Sequence, residues 1–146
     1  MRYFIKQGDL FTTSDDLIAH GVNCQGVMGA GIAKTIKERF PQAFNDYRRA
    51  CQVGKKLGDI EISELKPIKI AHLFTQQNYG TDGAKYVSYE AIRSCFKKLN
   101  YYCSRYDVKT VAMPKIGAGL GGGHWPTIER ILIEELTYPQ VTVWYL

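Results

Sequence analysis

A chain of 146 residues, 45% hydrophobic and 23% charged, is long enough to bury one compact core and has the composition of an ordinary soluble domain, which excludes disordered, collagen-like and coiled-coil classes. The formal charge of +5 admits a polyanionic partner. Its basic residues come as short pairs, Arg48-Arg49, Lys55-Lys56 and Lys97-Lys98, on segments that read as solvated helix faces rather than one stripe, so a nucleic-acid surface is disfavoured.

The opening MRYFIKQGDL lacks an apolar signal core, and no stretch approaches the length of a membrane span, so the expectation is a cytoplasmic protein with no membrane partner. Tyr3 to Lys6 alternates as a first strand. Leu17 to Val22 is a second apolar run that ends in polar Asn23 and Cys24 and leads into a glycine-rich turn. From Gly31 to Phe40 the spacing of Ile32, Ile36 and Phe40 marks a helix face, and Pro41 breaks that helix and can begin another. Ile60 to Leu65 and Ile68 to Phe74 read as paired strands around a Lys66-Pro67 turn. After Thr75 comes a long polar loop containing Gln76, Gln77, Asn78, Tyr79, Gly80, Thr81, Asp82 and Gly83, of the length at which loops are often functional.

The next helix buries Ile92, Cys95, Phe96, Leu99 and Cys103. The cysteines at 24, 51, 95 and 103 form no C-x-x-C pair and have no histidine at zinc-ligand spacing, so reduced thiols and no metal are expected. Val108 to Met113 is a nearly continuous apolar strand, as at the centre of a sheet covered on both faces, and Pro114 closes it. A second glycine loop leads into a helix with Pro126 in its first turn and Ile128, Ile131, Leu132 and Leu136 on one face, and Val141 to Leu146 is the last strand. This alternation of apolar runs and amphipathic stretches predicts an α/β sandwich with helices on both faces of a sheet.

The strongest local signal is Gly26-Val27-Met28-Gly29-Ala30-Gly31, between a strand and a helix, repeated in kind by Lys115-Ile116-Gly117-Ala118-Gly119-Leu120-Gly121-Gly122-Gly123. Glycines let backbone N–H groups approach a phosphate, and the free donors of a helix start favour an anion. Glycine also serves tight turns, so each loop alone is weak evidence, and the pair is stronger. Neither loop reads G-x-G-x-x-G with an acidic residue about 20 positions on, and neither closes in G-K-[ST]. A conventional dinucleotide fold and ATP or GTP hydrolysis are therefore disfavoured.

These residues resemble those of a macrodomain, the ADP-ribose-binding module, over essentially the whole chain. Gln7-Gly8-Asp9-Leu10 is similar to the family's early G-D-[IL] element, Val22-Asn23-Cys24 with Gly26 to Ile32 to its first ligand loop, and Met113-Pro114 with Gly117 to Gly121 to its second. His20 before Asn23, Leu73-Phe74-Thr75, Gly123-His124-Trp125-Pro126 with Glu129-Arg130, and Val143-Trp144-Tyr145-Leu146 resemble the small branch that holds ADP-ribose 1''-phosphate phosphatase, the hydrolase that removes ADP-ribose from glutamate, and the antitoxins that remove it from DNA. The resemblance implies a three-layer α/β/α sandwich on a mixed, mostly parallel sheet, and a single macrodomain over residues 1–146. It also implies that Asp9 accepts from the adenine amino group beside the Leu10 amide, and that Tyr145 or Trp144 flanks adenine. Asn23 would touch the distal ribose. Val27, Met28, Gly29, Ala30, Gly31 and Ile32, with Gly117, Ala118, Gly119, Leu120 and Gly121, would surround the diphosphate and distal ribose.

The lysine-dependent relatives carry a catalytic lysine just after the position of Thr75, where this chain has Gln76 and Gln77, and the glutamate-directed enzyme has an aspartate near Gly121 or Gly122. What remains is His20, Asn23 and the loop around Lys85. His20 is the leading catalytic candidate, able to transfer a proton or attack phosphorus at a strand end; its bland alternative is a satisfied histidine on an apolar strand. His124 beside the second loop is an alternative or a helix cap, and His72 reads as structural. The expected partner is ADP-ribose or ADP-ribose 1''-phosphate, hydrolysed to ADP-ribose without metal or cofactor. Removal of ADP-ribose from protein or nucleic acid, with Lys85 or a water standing in for the lysine, and non-catalytic ADP-ribose reading are the alternatives.

Overall fold

The computed structural model describes residues 2–80, 82 and 84–146, so Thr81 and Gly83 of the predicted polar loop lie outside the described residues. The strands are β1 (Tyr3–Gln7), β2 (Leu17–Asn23), β3 (Ile60–Ser63), β4 (Lys69–Gln76), β5 (Thr110–Pro114) and β6 (Gln140–Tyr145). The helices are α1 (Gly31–Arg39), α2 (Pro41–Gln52), α3 (Tyr89–Tyr106) and α4 (Trp125–Glu135), with a short 3-10 turn at Leu10–Thr12. The sheet runs β1-β6-β5-β2-β4-β3. Every pairing is parallel except β3 on β4, which makes the sheet mixed and mostly parallel, with helices on both faces.

Strand alternation sends side chains to two cores. Leu17 and Ala19 of β2 and Val111 and Met113 of β5 pack under α3 and α4 with Phe96, Leu99 and Leu132. Ile18, Ile70, Ala112 and Trp144 pack under α1 with Ile36, and Val22 and Phe74 meet Tyr47 and Ala50 of α2. The predicted stripe of α3, Ile92, Cys95, Phe96, Leu99 and Cys103, is wholly buried. Burial pushes the Cys95 and Cys103 thiols up to about 12, so both behave as small hydrophobes. No described helix is long and apolar enough to cross a membrane.

Boundaries differ from expectation where hydrogen bonding outweighs composition. Val108 is buried but precedes β5: its amide bonds Cys103 O and, with Asp107 in the left-handed region (φ 54°), it closes α3. Pro114 is the last residue of β5 rather than the turn beyond it. β3 ends at Ser63, and Leu65 and Ile68 leave the strands to pack on the α1-side core. Gln76, expected in the loop, extends β4 and bridges to Val87. α4 ends at Glu135, with Leu136 as its buried C-cap.

Both glycine loops leave the carboxyl ends of parallel strands, β2 and β5, that are neighbours in the sheet although far apart in the chain. Open α/β sheets bind ligands at that edge.

Candidate functional site

A cavity of about 500 Å³ opens at the carboxyl ends of β2, β4 and β5. The first loop contributes Val27, Gly29 and Ala30 and the start of α1 contributes Gly31, Ile32 and Ala33, while Gly117, Gly119, Leu120 and Gly121 face them from the second loop. The loops touch across the opening, since a Cβ on Gly31 would lie 3.8 Å from Leu120 Cδ1.

The chemistry of the lining is mostly backbone. Gly31, Ile32 and Ala33 occupy the first turn of α1, where amides have no helical acceptor, and no side chain caps that end. Among the described residues the amides of Gly119, Leu120 and Gly121 also donate no hydrogen bond, whereas Ala118 N, Gly122 N and Gly123 N are spent on Lys115 O, Gly119 O and Gly117 O. Among the described residues no carboxylate lines the cavity, and Lys115 lies in its wall with its Nζ 5.3 Å from the Tyr145 ring centroid. Unpaired N–H groups and a helix N-terminus make a site for an anion.

The first loop is held from beneath. Asn23 Nδ2 donates to Val27 O (2.9 Å) and its Oδ1 accepts from Gln25 N (2.9 Å). The Tyr47 hydroxyl, fully buried on α2, accepts from Gly26 N (3.1 Å) and donates to the Asn23 oxygens, 2.7 Å from the carbonyl and 2.8 Å from Oδ1. Asn23 therefore lines the cavity but uses both polar atoms of its side chain to fold the loop. Met28 is the loop's anchor: its side chain is buried with Tyr47 and Phe74 and does not line the cavity.

The second loop is held by the segment before α3, because Gly121 O accepts from both Tyr86 N (2.7 Å) and Val87 N (3.2 Å). Contact there is close enough to exclude any side chain: a Cβ on Gly121 would fall 2.5 Å from Val87 Cγ1, and one on Gly122, at φ 73°, 2.4 Å from Ala84 O. An aspartate at either position has no room while this segment stays in place.

His20 is 1% exposed and still lines the cavity. Its Nε2 lies 2.7 Å from His72 Nδ1, and His72 Nε2 lies 2.9 Å from Ser63 Oγ. Burial, then the neighbouring His72, holds His20 well below the ordinary histidine value of 6.5, and burial takes His72 to about 4, so both rings are uncharged near neutral pH. Among buried side-chain atoms without a partner are His20 Nδ1 and Thr75 Oγ1, both of residues that line the cavity.

Other predicted residues lie outside the cavity lining. Asp9 caps the 3-10 turn through Oδ1, which accepts from Phe11 N (2.9 Å), and Leu10 is buried beside Trp144. Tyr145 is exposed with Lys115 Nζ 5.3 Å from its ring centroid, and Ala118 packs on the α3-side core. Lys85 Nζ sits 3.9 Å from the Tyr89 ring centroid and does not reach the lining, and His124 Nδ1 bonds Thr127 Oγ1 (3.0 Å) at the start of α4. His72, read as structural, is buried outside the lining and is the hydrogen-bond partner of His20 and Ser63. Tyr47, Ser63, Thr75 and Lys115 received no role from sequence. Thr75 lies near the end of β4 and Lys115 follows β5, both strands that end at the site; Tyr47 and Ser63 carry no local signal.

A protein-family model described as Macro domain matches residues 19–132. The chain is 34% identical over 122 residues to an uncharacterised 17.5 kDa protein of phage T4, covering 79% of this chain and 76% of that one. It is 32% identical to the ADP-ribose 1''-phosphate phosphatase of Candida albicans, covering 92% and 93%. It is 28% identical to the DNA ADP-ribosyl glycohydrolase of Mycobacterium tuberculosis over 86% of this chain, which spans only 36% of that protein. Among solved structures, the macrodomain of Thermus aquaticus DarG superposes with a TM-score of 0.86 at 26% identity, covering 99% of this chain and 98% of that one.

Proposed function

The chain belongs to the macrodomain family, and on that premise we propose that its cavity binds ADP-ribose with the diphosphate between the two glycine loops, and that it hydrolyses ADP-ribose 1''-phosphate to ADP-ribose and phosphate. The observation that carries the reading is the convergence of unpaired amides from Gly31 to Ala33 and from Gly119 to Gly121 on one cavity that no carboxylate lines among the described residues. Donors fixed by backbone neutralise phosphate without reorganising on binding, so they favour a diphosphate over a neutral sugar. The phosphatase half of the proposal rests on His20 in the lining and on the near full-length likeness to the Candida albicans phosphatase. Binding would hold the terminal phosphate against His20, with Asn23 shaping the loop around the distal ribose.

The second reading is release of ADP-ribose from modified nucleic acid or protein, favoured by the likeness to the Mycobacterium tuberculosis glycohydrolase. Lys85 lies over Tyr89 and outside the lining, so a bound water rather than Lys85 would then stand in for the missing lysine. One preparation decides. Calorimetry with ADP-ribose should show binding at one site, and phosphate should be released from ADP-ribose 1''-phosphate. Release of ADP-ribose from modified DNA or glutamate without phosphate release would establish the second reading, and binding with no turnover would leave a reader.

A further inference from the structure

The net charge of the chain is carried by one layer of the fold. α1, α2 and the turn after them, residues 31–57, hold seven of the 19 Lys and Arg and two of the 14 Asp and Glu. That surplus of five equals the formal net charge of the whole protein, and the other residues balance with 12 of each sign. Sequence order hides the patch, because Arg48-Arg49 and Lys55-Lys56 read as separate short pairs and Lys34, Lys37 and Arg39 as scattered residues. Folding gathers them, since α1 and α2 pack on each other and cover the same face of the sheet through Ile36, Ala43 and Tyr47.

The opposite layer spends its cations on carboxylates: Arg93 of α3 pairs with Glu134 and Glu135, and Lys98 with Asp59. On the α1–α2 layer the one ion pair among the described residues is Arg49 with Asp46 (2.8 Å), and Lys55 is turned onto Ile60 O (3.0 Å). Lys34, Lys37, Arg39 and Arg48 are exposed and make no ion pair among the described residues. Aromatic rings hold three of them in place. Lys37 Nζ lies 4.5 Å and Arg48 Cζ 5.6 Å from the centroid of the half-buried Phe44 ring, and Arg39 Cζ lies 5.0 Å from that of Phe11. Two cations on one ring are no further apart than those two distances together, about one screening length in physiological salt, so both gain from a shared anion.

The patch is continuous with the cavity. α1 starts with Gly31, Ile32 and Ala33 in the cavity wall, and Lys34 is the next residue. Lys37 follows it at i,i+3. A line of phosphates leaving the anion site along α1 thus passes from amide donors to free cations. None of the exposed large apolar side chains belongs to α1 or α2, so the surface lacks the wedge with which a basic helix enters a bilayer.

We propose that the outer face of α1 and α2 docks the phosphate backbone of a nucleic-acid strand through Lys34, Lys37, Arg39 and Arg48, beside the cavity mouth. The surface goes beyond the cavity reading, and only the entry of a modified nucleotide of that strand into the cavity rests on it. Phosphate donors next door favour a polyphosphate chain over an acidic peptide. Contact of this kind is electrostatic and blind to base sequence.

Fluorescence anisotropy of a labelled single-stranded oligonucleotide with the whole chain reads the surface. Four phosphate contacts on a single strand predict an affinity that falls roughly fiftyfold between about 50 and 200 mM salt. Lys37→Gln/Arg48→Gln should bind more weakly whatever the base sequence, and should lower the steepness of the log–log salt plot from about 2.8 to about 1.4. The control Lys97→Gln/Arg105→Gln removes the same charge from α3 and should bind as wild type does. Equal weakening in the two variants overturns the proposal, because net charge alone is then at work. Unchanged binding in Lys37→Gln/Arg48→Gln overturns it too, as does wild-type binding that ignores salt. Should that variant fold poorly, Lys34→Gln, which removes no ion pair or ring contact among the described residues, should lower the steepness by about 0.7. Retention on vesicles of anionic lipid without oligonucleotide binding overturns the proposal in favour of a membrane. Oligonucleotide binding in a protein that does not bind ADP-ribose sinks the cavity reading and leaves the surface standing, and the converse sinks the surface alone.

Discussion

Tyr47 holds the first glycine loop with one hydroxyl, which ties Gly26 N to Asn23 from beneath. Tyr47→Phe keeps the ring packing on Phe74 and Phe44 but leaves those backbone groups buried and unpaired. That costs about 1–3 kcal/mol. Urea unfolding should show the loss, and calorimetry should show weaker ADP-ribose binding; wild-type affinity would mean that the loop is held by Met28 and Asn23 alone. Nothing adjacent in sequence announces this contact, because Tyr47 and Asn23 are 24 positions apart and meet only once α2 packs on β2. The same holds for His72, whose expected structural role came from its apolar strand. A period of two tells which face of a strand a histidine occupies, but which strand lies beside it is decided by pairing across 52 positions.

At the scale of elements, the loops were legible because strand, glycine run and helix follow one another in the chain, and their joint cavity follows from β2 and β5 being neighbours. Less legible was what each loop residue does. Met28 reads as part of a ligand loop by position, yet a large apolar side chain beside α2 gains more from burial than from lining a wet cavity. Asp9 reads as a ligand contact by motif, and the motif does not show that its Oδ1 also accepts from Phe11 N of a short turn. The second loop yields a sharp prediction. Gly122→Ala puts a Cβ 2.4 Å from Ala84 O at φ 73°, so the backbone of one segment must move. The variant should lose roughly 2 kcal/mol or more, seen as a lower unfolding midpoint, whereas Gly26→Ala, also at positive φ (79°) but with nothing within 4 Å, should lose less. Equal losses would point to backbone angle alone as the cause.

For the molecule as a whole, two buried uncharged histidines make stability depend on pH. Above the ordinary value of 6.5 neither the folded nor the unfolded chain protonates them. As pH falls below 6.5 the unfolded chain takes up protons that the folded one refuses until about 4 at His72, where the Asp46 charge offsets the burial only in part. Stability is therefore complete above 6.5 and is lost as pH falls towards 4, by about 3 kcal/mol for His72 alone. Unfolding measured at pH 7 and pH 4.5 should show the drop, and His72→Leu should shrink it; equal drops in both would place the acid sensitivity in other groups. Ligand acts in the opposite direction: ADP-ribose at a hundred times its Kd should add about 2.7 kcal/mol and raise Tm by several degrees. No rise at that concentration would sink the ligand assignment.

The contact of Ala84 to Val87 with Gly121 and Gly122 also constrains the protein's history. An acidic residue at either glycine would strike this neighbouring segment, so it could be tolerated only after the segment had shifted. A lysine at position 76, on the cavity wall, meets no such veto. Along any mutational path from this chain to a lysine and carboxylate pair, the order of steps is thus partly dictated: the backbone between β4 and α3 must withdraw before the carboxylate arrives. Point substitution at the glycines alone is a dead end, and a swap of the whole 77–88 segment is the change from which a different chemistry could start.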